Sequence, residues 1–205
     1  MPEPTRKSLQ RRALVLEYGT IVWNLGEAVL TVGLGIAAAS LALIGFGGDS
    51  IIEVFASAVV VWHIAPGHAV DNPRRTARAL RLVAVAFALL AVVLAVLATR
   101  DLVTGRRPEE SIWGITYLAV TALVMFGLAI AKRRVAVLLD SAPLRSEATL
   151  TFLDGILATG TTIGLTLNAA FGWWWADPAA ALIVAVAAFN EARENWEEAS
   201  ESSAD

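Results

Sequence analysis

Residues 44–62 read IGFGGDSIIEVFASAVVVW: apolar and glycine-rich, except that Asp49 and Glu53 sit inside. By length and composition such a run belongs in lipid. An ionisable side chain in mid-membrane costs roughly 2.5–3.5 kcal/mol on insertion scales, so each acid is a functional-site hypothesis from the outset. The four-residue spacing places both carboxylates on one face of a helix.

The rest of the chain shares this character. Of 205 residues, 57% are hydrophobic and 17% charged, against about 25% charged in ordinary soluble domains. A formal net charge of −3, with no basic stripe outside short loops, argues against a nucleic-acid partner. Cysteine is absent, which removes disulfides, thiolate metal sites and cysteine nucleophiles together. The N-terminal MPEPTRKSLQRR is basic, but no small-residue cleavage site follows a short apolar core. The first apolar run therefore reads as a retained span.

Six runs are long enough to cross a bilayer: about 13–36, 39–63, 79–98, 112–131, 148–170 and 177–192. The expected fold is all-α, a polytopic six-helix transmembrane bundle over 13–192. A basic cytoplasmic segment (1–12) precedes it and an acidic cytoplasmic tail (193–205) follows. A small-residue turn near AAAS separates the first two runs. Trp173, Trp174 and Trp175 form an interfacial anchor before the sixth, with Asp177 as N-cap and Pro178 at the first helical position. Thirteen of the Lys and Arg residues fall on one side and only Arg100, Arg106 and Arg107 on the other. Both termini are therefore expected in the cytoplasm, and the cell membrane is the expected location. Gly19, Gly26 and Gly33, and the pair Gly160 and Gly164, are spaced for close helix approach, within one bundle or between subunits.

The remaining intramembrane polar residues pair as Asp49 and Glu53 do. Asn24 and Glu27 stand three apart in the first run, and Glu147 and Asp154 seven apart in the fifth. Taking residues 13, 62 and 147 as the cytoplasmic ends, Glu53 and Asp154 lie at similar depth, as do Asp49 and Glu27, with Asn24 between and Glu147 at the mouth. Four carboxylates and an amide in one layer cannot all be charged and empty. They hold protons or a cation, and alternation between the two is proton-for-cation exchange. A structural ion pair would need an intramembrane Lys or Arg, and none is expected at that depth.

The segments NLGEAVLTVGLGIAAASLALIGFGGDSIIEVFASAVVVW, LRSEATLTFLDGILATG and WWWADPAAALIV resemble the cation diffusion facilitator family, closest to small members without the C-terminal cytoplasmic domain. The resemblance implies a homodimeric, proton-coupled divalent-cation exporter with two ligands four apart in helix two and two in helix five. Asp49 and Glu53 match the first pair, and Asp154 the second member of the other. Leu150 stands where the remaining ligand is expected. Glu147, or Glu27 with Asn24, would complete the shell. With oxygen ligands alone, Mn²⁺ and Fe²⁺ gain ground, although Zn²⁺ also accepts carboxylates.

Other readings stay open. Asp49 and Asp154 could form an intramembrane aspartyl protease pair, but the glycines precede Asp49 in a displaced pattern and Glu27 and Glu53 go unused. A non-transporting scaffold or accessory subunit is the other alternative. His63 and His68 suit interface packing or ion access. Tyr117, Thr121 and Met125 suit packing, and Thr159, Thr161 and Thr162 suit bonds back to helix carbonyls.

Overall fold

The computed structural model describes residues 5–37, 41–65, 72–105 and 112–202. The turn at 38–40, His68, Arg106, Arg107, Glu109 and Glu110 lie outside the described residues. Six helices follow one another: α1 (Arg6–Ala37), α2 (Leu41–Ile64), α3 (Pro73–Thr104), α4 (Ile112–Leu139), α5 (Ala142–Phe171) and α6 (Ala176–Glu201). Helix thus reaches into both flanking segments. Segments of α1 to α5 are long and apolar enough to cross a membrane. The sixth run is helical as expected but does not meet that measure. Glu191, Arg193, Glu194, Glu197 and Glu198 crowd its second half.

Local chemistry sets the helix ends. Asn72 caps α3 by accepting from the Arg75 amide at 3.3 Å, and Pro73 follows it, where a missing N–H costs nothing. Gly105 (φ 63°) and Gly172 (φ 70°) close α3 and α5 in the left-handed conformation. Asp140 (φ 50°) does the same after α4, and the Ser141 amide then returns to the Ala136 carbonyl at 3.1 Å. This tight turn folds α5 back along α4. The cap expected at Asp177 is two residues late: α6 starts at Ala176 with Trp175 as its cap residue. Asp177 lies in the first turn, where the helix dipole favours an acid.

The helices associate mainly as three pairs, α1 with α2, α3 with α6, and α4 with α5. Apolar packing joins α2, α3, α5 and α6 through Ile52, Phe87, Leu90, Leu153 and Val184. A second apolar cluster closes the end where the N-terminus and the α4–α5 turn meet, with Leu9, Ala13, Val60, Ile64, Val135 and Leu144. Arg6, Arg11, Arg12, Arg74, Arg133, Arg134 and Arg145 belong to this end; it is called the arginine-rich end below.

Glycine allows the closest approaches. A Cβ on Gly47 would lie 2.5 Å from the Val32 side chain and 2.6 Å from that of Thr31, so Gly47 seats α2 on α1. On Gly164 it would lie 2.7 Å from the Asp177 backbone, and on Gly160 2.8 Å from the Ala180 Cβ. The α5 pair therefore packs within the bundle, against α6. Gly19, Gly26 and Gly33 face outward with nothing within 4 Å.

Candidate functional site

Polar side chains line the seam between the α1–α2 and α4–α5 pairs. On α1, Glu17, Thr20, Asn24, Glu27 and Thr31 recur at alternating three- and four-residue steps, and all are buried. That period keeps them on one helical face. Facing them are Asp49, Ser50, Glu53 and Ser57 on α2, and Glu147, Thr151 and Asp154 on α5, all buried as well.

Five of the six expected site residues fall into one neighbourhood. Asn24 Nδ2 donates to Glu53 Oε2 at 2.8 Å. Glu27 accepts from Ser50 Oγ at 3.0 Å and from the Tyr117 hydroxyl at 2.6 Å. Asp49 of α2 and Asp154 of α5 are neighbours across the seam. Three oxygens are left buried without a hydrogen-bond partner: Asn24 Oδ1, Glu53 Oε1 and Asp154 Oδ2. Such atoms are uncommon in folded proteins and each needs a donor or a cation. Among the described residues no three His, Asp or Glu side chains are already arranged around one metal position. Ser50, Tyr117 and Asn24 occupy carboxylate oxygens that a metal would use.

The sixth residue, Glu147, has a different setting. It is fully buried, not at an open mouth. Lys132 Nζ donates to Glu147 Oε1 at 2.6 Å and Oε2 at 2.8 Å, and to Thr151 Oγ1 at 3.1 Å. Ser57 Oγ donates to Glu147 Oε1 at 2.9 Å, and Glu17 Oε2 lies 3.5 Å from the same lysine. The expectation that no cationic side chain enters the interior is therefore overturned. α4 continues to Leu139 and carries Lys132 inside, where Glu17 and Glu147 compensate its charge. Lys132 also leaves the tally of surface cations, and the charge asymmetry survives without it.

Tyr117, Lys132, Glu17 and Thr151 complete the site beyond the expected set. The α1 stripe at 17, 20, 24, 27 and 31 was the signal for Glu17, and the run 147, 151, 154 for Thr151. Leu150 points elsewhere, into the apolar cluster with α2, α3 and α6. Of the two histidines, His63 is buried with Nδ1 unpartnered. Thr159 and Thr162 bond back to the carbonyls of Gly155 and Ala158 at 2.8 Å, as expected, whereas Thr161 reaches Asp177.

Helices of membrane length around a buried, oxygen-rich seam define a polytopic integral membrane protein whose polar chemistry lies inside the bundle. The cation efflux transmembrane domain matches residues 20–202. That match takes in nearly the whole chain, and the protein belongs to the cation efflux family, which transports divalent metal cations.

Proposed function

We propose that this protein exports a divalent metal cation in exchange for protons, with both termini in the cytoplasm of the cell and the chain working as a homodimer. Asp49, Glu53 and Asp154 are the central ligands, with Glu27 and Asn24 completing an all-oxygen shell. The observation that carries the reading is the set of buried, unpartnered oxygens on Asn24, Glu53 and Asp154, drawn from three helices, with the buried Asp49 beside them. Neighbouring buried carboxyls hold a proton or a cation between them, and a cation bound there takes the proton's place. To bind metal, Glu53 turns from Asn24, and Glu27 from Ser50 or Tyr117. Each exchange trades one polar partner for another, at a net cost of about 1 kcal/mol per neutral hydrogen bond. Glu147 stays with Lys132 and outside the shell. Oxygen donors suit Mn²⁺ and Fe²⁺, and Zn²⁺ accepts them.

Purified protein in acid-loaded vesicles should take up Mn²⁺, Fe²⁺ or Zn²⁺ and release protons, and Asp49→Asn or Asp154→Asn should abolish uptake. Uptake by both variants at the wild-type rate would remove the shared site. Two neighbouring buried aspartates also suit a protease pair sharing a proton. Cleavage of a single-span substrate, blocked by an aspartyl-protease inhibitor, would favour that second reading. Light scattering of the solubilised protein tests the dimer.

A further inference from the structure

The cluster around Lys132 has no part in the proposed metal shell, yet it ties four helices together. Lys132 of α4 holds Glu147 and Thr151 of α5 and faces Glu17 of α1, while Ser57 of α2 donates to Glu147. Lys132, Glu17, Glu147, Ser57 and Thr151 are all fully buried.

Its position follows from the helix register. Glu147 precedes Asp154 by seven residues on α5, about 10 Å along the axis. Ser57 lies one turn beyond Glu53 on α2. Both displacements lead toward the arginine-rich end. Past the cluster in that direction, the apolar residues Leu9, Ala13, Val60, Ile64, Val135 and Leu144 fill the space. An ion moving between the Asp49–Asp154 layer and that end must therefore pass Lys132 and this apolar plug.

Charge balance makes the cluster a closure. One ammonium hydrogen-bonds Glu147 and stands 3.5 Å from Glu17 across the seam, and the charges balance when one of the two carboxyls holds a proton. Remove the ammonium, and the remaining carboxylate is uncompensated in a dry interior. Remove both carboxylates, and a lone ammonium is left. Breaking a buried ion pair by deleting one partner is strongly destabilising, because the remaining charge is uncompensated. Water entering the seam relieves either imbalance, and neither arises when all three groups are neutral.

We propose that Lys132 is a positioning residue: a tethered counter-cation that locks Glu17 to Glu147 and seals the carboxylate layer from the arginine-rich end. The seal itself is independent of the metal reading; its use in transport rests on that reading.

The natural absence of cysteine makes the seal directly measurable. Ser50→Cys puts a single thiol in the layer, and a membrane-impermeant maleimide is applied to the arginine-rich face of oriented vesicles. Adding Lys132→Met, or adding Glu17→Gln with Glu147→Gln, should speed labelling by about tenfold or more, while all three changes together should return it to within about twofold of Ser50→Cys alone, a strong non-additivity. A side chain that merely fills space would give additive damage without rescue. Unchanged labelling in both partial variants would overturn the proposal, and so would fast labelling in the combined one. If the lysine variant fails to fold, the paired glutamine variant and the combined variant carry the same comparison. A wild-type protein that moved no metal would sink the transport reading and leave these labelling ratios as they are.

Discussion

Leu150 shows how far chemistry at one residue depends on the direction its side chain faces. The family pattern puts a ligand there, and a histidine at 150 would seem to restore it. The side chain instead packs with Ile52, Phe87 and Leu153 in the apolar cluster. Leu150→His should therefore lower stability by roughly 1–3 kcal/mol, the cost of burying a polar group without a partner, and leave Zn²⁺ affinity unimproved. Thermal melting with and without Zn²⁺ checks both halves, and tighter Zn²⁺ binding would place residue 150 in the metal shell. Asp49 and Glu53 were legible in the sequence because an acid inside a 19-residue apolar run has few innocent explanations. Lys132 was not. It follows the long apolar run of its helix and adjoins Arg133 and Arg134, where basic residues usually face headgroups. Only the fold shows that the helix continues and turns this one inward. Tyr117 was ambiguous for another reason, since an aromatic at helical spacing serves packing as readily as hydrogen bonding.

At the level of the helices, six elements and their approximate limits followed from the apolar runs. Their partners did not, because lipid-facing and helix-facing residues are equally apolar. The glycines illustrate this. Two sets had helical spacing, of seven residues on α1 and four on α5, yet the one on α5 meets α6 and the one on α1 meets nothing within 4 Å. Gly164→Ala should therefore destabilise the protein markedly, because its methyl would meet Asp177 backbone, which cannot rotate away. Gly160→Ala would bring its methyl to 2.8 Å from the Ala180 Cβ, an atom as fixed as backbone, and should destabilise too, by less because only one atom is met. Gly26→Ala has open space and should gain up to about 1 kcal/mol from helix propensity. Melting temperatures of the three variants in one detergent test the ranking, and an equal loss at Gly26 would contradict the outward placement.

Across the whole molecule, the charged end of α6 is part of the packed structure. Asn195 and Ala199 are buried, and Ala199 packs on Ala77 and Leu80 at the start of α3. Ending the chain at Glu194 should lower the melting temperature by roughly 5 °C, whereas ending it at Ser202 should leave it unchanged. Equal melting of the two truncated proteins would mean that the end of α6 contributes nothing to the α3–α6 pair. That pair carries mainly apolar contacts, and the polar residues lie between the other two pairs. The polar contacts crossing their seam include Tyr117 to Glu27, Ser57 to Glu147, and Lys132 facing Glu17. Interlocked apolar side chains cannot slide past one another without opening voids. A hydrogen-bonded surface can part, because water takes up each donor and acceptor as it is released. Beyond the Lys132 lock, the seam is thus the part of the bundle that water can enter without opening a void.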